Sequence, residues 1–241
     1  MNNSTQTNTD EAIVDSRHPF VETAEMFFRN HSAVVALIVL IAIVAAAIIG
    51  PFFYPTDPFE MVWAPFSPPG SEGFLLGTDY LGRDMLSGLL HGGRVSIAIG
   101  LAAALMSVFI GITVGALAGF YRGWIEEVLM RITEFFQVLP TLLFSMVLVA
   151  LFGASLPMIT FAIGIVSWTA VARITRAEFL RIRELEYVTA SRSSGATNAK
   201  LIFNVILPNA LPPIIVQAAL MVGSAIPVSY THLTLPTIYS V

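Results

Sequence analysis

The sequence predicts an all-α, polytopic membrane protein: a transmembrane helical bundle with its N-terminus in the cytoplasm. Three observations predict it. Hydrophobic residues make up 56% of the 241 and charged residues 12%, where soluble domains carry about 25% charged residues. The apolar residues gather into runs long enough to cross a bilayer, and the mean hydropathy is +0.78. The basic residues lie almost entirely on alternate sides of those runs.

Residues 1–31 read as a cytoplasmic tail, polar at first (MNNSTQTNTDE), with a short amphipathic helix over Glu22–Asn30. Ser32–Phe53 is the first span. Ala45-Ala46-Ala47 also suits a signal-peptide cleavage site, but the polar lead is too long and the apolar run continues past the alanines. Residues 54–93 form the longest polar segment, opening Pro- and aromatic-rich and ending GTDYLGRDMLSGLLHGGR. The second run is Val95–Phe120, the third Ile132–Phe152, the fourth Leu156–Ala172 and the fifth Pro208–Ile226. Between the last two, Arg173–Lys200 is charged and helix-prone. With the N-terminus inside, ten basic residues are cytoplasmic (Arg17, Arg29, Arg122, Arg131, Arg173, Arg176, Arg181, Arg183, Arg192, Lys200) and two, Arg83 and Arg94, are exoplasmic. Segment 54–93 then faces outward and 173–207 inward.

Several chemistries are excluded. Without Cys there is no disulfide or thiolate site, and His18, His31, His91 and His232 have no metal-ligand spacing. The net charge of -4 gives no pointer to nucleic acid. No GxxxxGK[ST] loop is present, so this chain does not hydrolyse ATP itself. No ionisable residue lies centrally in any run, which disfavours an ion-coupled carrier. Glu134 and Gln137, at the start of the third run, read as interfacial groups. A purely structural scaffold leaves the charged inner segment unexplained.

Gly111-x-x-x-Gly115-x-x-x-Gly119 puts small residues on one helical face, for packing within the chain or against a second one. In the inner segment, Leu185, Val188 and Ser191 recur at i, i+3 and i+6, with Tyr187 and Ala190 beside them. Gly195 supplies a helix stop, Ala-Thr-Asn a new N-cap, and a second short helix covers Asn198–Leu207, ending near Pro208. Helix, glycine turn, helix suits either docking into a partner's groove or a solvated interfacial loop. In the outer segment, Thr78 or Asp79 can cap a helix with Arg83 and Asp84 paired locally, or the motif can contact a partner or substrate. Asp79 and Asp84 lack the further ligands a metal site needs.

The inner segment Glu186-Tyr187-Val188-Thr189-Ala190-Ser191-Arg192-Ser193-Ser194-Gly195, followed after a nine-residue gap by Val205-Ile206-Leu207-Pro208-Asn209, resembles the cytoplasmic "EAA" loop of permease subunits of binding-protein-dependent ABC importers. Thr189 and Ser191 depart from the generic motif's glutamate and second alanine. The dipeptide, oligopeptide and nickel branch is suggested by Gly77-Thr78-Asp79-Tyr80-Leu81-Gly82-Arg83-Asp84 with Ser87, by Gly92-x-Arg94-Val95-Ser96, by Gly119-Phe120-Tyr121-Arg122-Gly123-Trp124, by Arg131-Ile132-Thr133-Glu134 and by Trp168-x-x-x-Ala172-Arg173.

The resemblance implies an ABC importer transmembrane domain over 32–226, in a bacterial or archaeal inner membrane. It forms the translocation pathway for di- or oligopeptides, with nickel or another small solute as the alternative cargo. It implies a coupling helix at Leu185, Glu186, Tyr187, Val188, Thr189, Ala190, Ser191 and Gly195, with Leu207 and Pro208 opening the next span. The exoplasmic motif is Gly77, Thr78, Asp79, Gly82, Arg83 and Asp84. The implied partners are ABC ATPase subunits holding ATP and Mg, a second permease in a heterodimer, an extracytoplasmic binding protein and membrane lipid. No catalytic residue, bound cofactor or metal is expected on this chain, and no nucleic acid. Six spans are expected in the family and five are legible. Residues 227–241 are too short and polar for a sixth, and read as an atypical tail on a C-terminally truncated chain.

Overall fold

The computed structural model describes residues 26–71, 73–153 and 155–238. Every extended element in it is an α-helix: α1 His31–Phe53, α2 Met85–Tyr121, α3 Gly123–Val138, α4 Thr141–Phe152, α5 Leu156–Ile182 and α6 Glu186–Ser193. The single turn α7 Asn198–Lys200 then runs through a π-helical stretch, Leu201–Ile206, into α8 Leu207–Ile238. Of the expected N-terminal amphipathic helix, residues 26–29 are helical and 22–25 lie outside the described residues.

Helices α2 and α5 are the heart of the bundle, and the glycine stripe is the reason. A Cβ on Gly111 would stand 2.5 Å from Val171 Cβ, one on Gly115 2.4 Å from Ala172 O, and one on Gly119 2.6 Å from Phe179 Cβ. Only glycine lets the two backbones approach this closely along three turns. The stripe therefore packs within the chain. Ser107, fully buried on the same seam, donates to Gly164 O at 2.9 Å, which satisfies a hydroxyl that hydrocarbon could not. Helix α8 covers the C-terminal half of the pair, where Phe179, Ile182, Leu201, Ile206 and Ile214 form the main apolar core. A second cluster of Ile99, Ala103, Val149, Ile159 and Ile163 closes the other half.

Helix α1 differs. It touches α2 at Gly50 against Leu90 and at Ala47 beside Gly93, and Ala47 is its one buried residue. The rest of its surface is apolar and open, as expected for a helix whose solvent is lipid.

Among the described residues four helices are long and apolar enough to cross a membrane, or five if one bent pair counts as a span. That pair corrects the expectation of a continuous helix over Ile132–Phe152. The chain breaks at Leu139–Pro140, and α3 and α4 meet at 87°. Pro140 drives Leu139 into the extended region (ψ 126). At twelve residues α4 is only about 18 Å long, short of the ~30 Å hydrocarbon core. Phe136 of α3 braces the bend, its ring edge-on to Phe144 of α4 and Trp168 of α5 at 6.4 and 5.7 Å.

Two other boundaries move. Helix α2 starts at Met85, ten residues before its apolar run, so the last nine residues of the 54–93 segment are helical. No helix ends at Pro208: Asn198–Ser224 is one continuous apolar helix. The wider π turn makes this possible. Leu207 donates its N–H five residues back, to Ile202 O. Pro208 has no N–H to place in the ladder, and Asn209 Nδ2 donates to Val205 O at 2.6 Å. Helix α8 continues through residue 238, so no separate element opens at Pro227.

Candidate functional site

Two regions hold the residues singled out in the sequence, one at each end of α2. At its C-terminal end, α6 is stopped by a complete glycine motif. Gly195 is left-handed (φ +84); its N–H reaches Arg192 O at 3.0 Å, and the next N–H, on Ala196, reaches Ser191 O at 3.2 Å. This pairing satisfies the carbonyls that a helix end leaves orphaned. A Cβ at Gly195 would meet nothing within 4 Å, so its backbone conformation requires glycine and its space does not. Thr197 then caps the next turn by accepting from Lys200 N at 3.4 Å. Glu186 in the first turn and Arg192 in the last oppose the helix dipole.

The faces of α6 divide differently from the expectation of one small apolar side. Val188 is 0% exposed and belongs to the bundle's own core, with Phe179, Leu201 and Ile206. Leu185 and Tyr187 are exposed, as are Glu186, Thr189 and Ala190, while Ser191 is half-buried. Val188 thus anchors the helix and its neighbours present the free surface. A shallow groove of about 430 Å³ runs along it, between Ser191, Ser194 and Gly195 on one side and Lys200 and Val205 on the other. Leu207 and Pro208 sit beyond the groove, on the first turn of α8.

Sequence reasoning missed the residues that hold α6 in place. Arg183, just before α6, donates from Nη1 to Phe120 O at 2.6 Å and lies 3.4 Å from Gly119 O. Glu184 reaches Arg122 at 3.5 Å, and the Arg192 guanidinium lies over the Phe120 ring at 5.9 Å. The available signal was the Tyr121-Arg122-Gly123 corner, where Arg122 and Gly123 both take positive φ (56 and 60).

Deeper along α5, Arg176 pairs with Glu126 of α3 (Nε–Oε1 2.7 Å), and Arg173 donates to Gln137 at 3.1 Å. Gln137 is thus the satisfied amide expected of it. Glu134 pairs with Arg131 at 3.3 Å on the surface. Among the described residues no group of three or more His, Asp or Glu could hold a metal ion.

At the N-terminal end of α2, the described residues of 54–84 fold back on themselves. Gly77 and Gly82 are left-handed (φ +76 and +75) and lie against backbone: a Cβ would stand 2.2 Å from Ser67 O and 2.0 Å from Trp63 O. Thr78 Oγ1 accepts from Ser67 N at 3.0 Å and donates to Ala64 O at 2.7 Å. Asp79 Oδ1 accepts from Leu81 N and Arg83 N at 2.8 and 2.9 Å. Neither residue caps a helix. Asp84 does, accepting from Leu86 N at 2.8 Å and Ser87 N at 3.4 Å. It is also the acceptor of the Tyr54 hydroxyl, so it has no need of Arg83, whose guanidinium lies over the Phe59 ring at 5.8 Å instead. The hydrogen bond to the Asp84 carboxylate holds the Tyr54 phenol above its ordinary range, with burial adding to it. The six motif residues come together in one knot, around which Phe59, Met61, Phe66 and Tyr80 are exposed.

Comparison with known proteins agrees with this architecture. The family described as "binding-protein-dependent transport system inner membrane component" matches residues 111–229, and the "N-terminal TM domain of oligopeptide transport permease C" matches 19–69. The di/tripeptide transport system permease protein DppC of Pseudomonas aeruginosa is 41% identical over 215 residues, 86% of this chain and 71% of its own length. The oligopeptide transport system permease protein OppC of Haemophilus influenzae is 35% identical, with 90% and 70% covered. The glutathione transport system permease protein GsiD of Pectobacterium atrosepticum is 33% identical, with 87% and 70% covered.

Proposed function

The chain belongs to the family of binding-protein-dependent transport system inner membrane components, and from that premise we propose that it forms part of the membrane pathway of an ATP-driven importer of short peptides. It is a multi-pass inner-membrane permease subunit. Its relatives carry dipeptide, oligopeptide and glutathione names, which supports a peptide cargo over a nickel ion.

The N-terminus lies in the cytoplasm, supported by the ten-to-two distribution of basic residues. A partner ATPase docks on α6, a second permease completes the pathway, and an extracytoplasmic binding protein delivers cargo to the side holding the 54–84 knot. The observation that carries the coupling role is the division of α6: Val188 is held in the bundle core while Leu185 and Tyr187 are left free. A short helix anchored on one face and open on the other can take a push from a partner and pass it inward.

The test uses the complete transporter in proteoliposomes, with radiolabelled di- and oligopeptides. Uptake requires ATP and the binding protein, and nickel is not taken up. Gly195→Trp adds bulk on the open side of the turn, and is expected to abolish uptake while ATP is still hydrolysed. Gly195→Asn, which tolerates the left-handed backbone, keeps uptake within about threefold, since a left-handed Asn costs on the order of 1 kcal/mol. Normal uptake by Gly195→Trp, or uptake driven by a proton gradient without ATP, defeats this reading.

A further inference from the structure

The contacts made by the α6 segment beyond its apolar anchor converge on one place. Arg183, Glu184 and Arg192 all reach the last residues of α2 or the corner that follows it, within Gly119–Arg122. The final carbonyls of a helix have no partner within it and carry the negative end of its dipole. Arg183 Nη1 lies on two of them, Gly119 O and Phe120 O, and its side chain is only 17% exposed. Glu184 bridges Arg183 Nε, at 3.4 Å, to Arg122. Beneath this joint α2 and α5 meet closely: a Cβ on Gly119 would stand 2.6 Å from Phe179 Cβ and 2.8 Å from Arg176 O.

We propose that Arg183 is a positioning residue for transport, the clamp that makes α2 move with the coupling helix. This rests on the coupling reading of α6. Without the clamp, a push on α6 reaches α5 through the covalent link Arg183–Leu185 and α2 only indirectly, across the α2–α5 seam. With it, the push is delivered at the same moment to the end of a helix of 37 residues, about 55 Å long. The far end of that helix is Asp84, latched to Tyr54 and the outer knot. Arg183 therefore connects the ATPase side to the receiving side through one rigid element.

The experiment measures peptide taken up per ATP hydrolysed, in the complete transporter reconstituted with its ATPase and binding protein. Arg183→Gln keeps an N–H donor but removes the cation from the carbonyls. It is expected to assemble and hydrolyse ATP while uptake per ATP falls about five- to tenfold. Arg183→Lys keeps a cation there and is expected to remain within about twofold of the parent. Glu184→Gln, at an exposed side chain, loses the second link and is expected to fall about twofold. A parental ratio in Arg183→Gln overturns the clamp, as does an equal fall in the Lys and Gln variants, which would mark packing rather than charge. If Arg183→Gln fails to reach the membrane, Glu184→Gln decides: a parental ratio there overturns the clamp. Absence of ATP-driven uptake by the parent instead removes the coupling reading itself.

Discussion

The two ends of α2 are built by different means. The outer knot, residues 54–84, is held by its own hydrogen bonds: Thr78 to Ala64 and Ser67, Asp79 to Leu81 and Arg83, and Gly77 and Gly82 pressed onto the opposing backbone. Two side-chain bonds, Tyr54 to Asp84 and Ser87 to Thr56 O, tie the residues just after α1 to the start of α2. Large apolar side chains are left outside. The α6 segment also bonds within itself, at the Gly195 turn and the Thr197 cap, but its place is fixed by others: Val188 in the bundle core, and Arg183 on the end of α2. The difference teaches how each can respond to a partner. A knot held by its own bonds keeps its shape and meets the bundle at the α1–α2 junction, whereas a segment anchored in the core cannot be displaced without moving it.

The strongest way to break this contrast is Val188→Asp. An unpaired charge at a site with 0% exposure is expected to cost about 3–5 kcal/mol and to lower the yield and melting midpoint of the whole purified transporter. Gly82→Ala should be nearly as costly but local. Its Cβ would stand 2.0 Å from Trp63 O at a φ of +75, so about 2–4 kcal/mol of strain is expected. Limited proteolysis within 54–84 should accelerate while the melting midpoint of the bundle holds. A fall in that midpoint equal to that of Val188→Asp would show that the knot is not self-contained.

Tyr54→Phe removes one partner of the Asp84 carboxylate, which is itself buried. A loss of about 1–3 kcal/mol is expected at the latch alone, read as faster hydrogen exchange at the first turn of α2. The smallest effect concerns pH. Tyr54 titrates above its usual 10.0 because Asp84 accepts its proton-bearing hydroxyl. The folded value is raised above the unfolded one, so the latch contributes fully below pH 10.0 and is lost as pH rises through the higher folded value. Exchange at Leu86 and Ser87 should then be unaffected by this group between roughly pH 6 and 9 and rise in alkali. Tyr54→Phe should abolish that rise.

Much of the fold was legible in the sequence because it is written locally. Apolar runs mark spans by length, a four-residue glycine spacing marks a face for close packing, and Gly195 followed by Thr197 marks a stop and a restart. The runs misled where a backbone detail outweighed composition. Ile132–Phe152 is uniformly apolar enough to look continuous, yet Pro140 bends it by 87°. Pro208 looked like a break, yet a π turn carries the helix across it. In the outer motif the structural role was legible, but the choice of cap was not. Thr78, Asp79 and Asp84 are all chemically able to cap, and the fold of the knot selects Asp84.

By itself the sequence determined the class of molecule, the approximate spans and the family. These depend on residue type and spacing, which lipid and local backbone geometry read directly. Only the tertiary structure decided what each surface meets. Periodicity shows that Val188 shares a face with its neighbours; it does not show that this face turns inward to Phe179 and Leu201. Nor can any pattern point from Arg183 to its acceptors, the main-chain carbonyls of Gly119 and Phe120. Every residue has a carbonyl, so the sequence carries no mark of the two that a fold leaves open for a guanidinium.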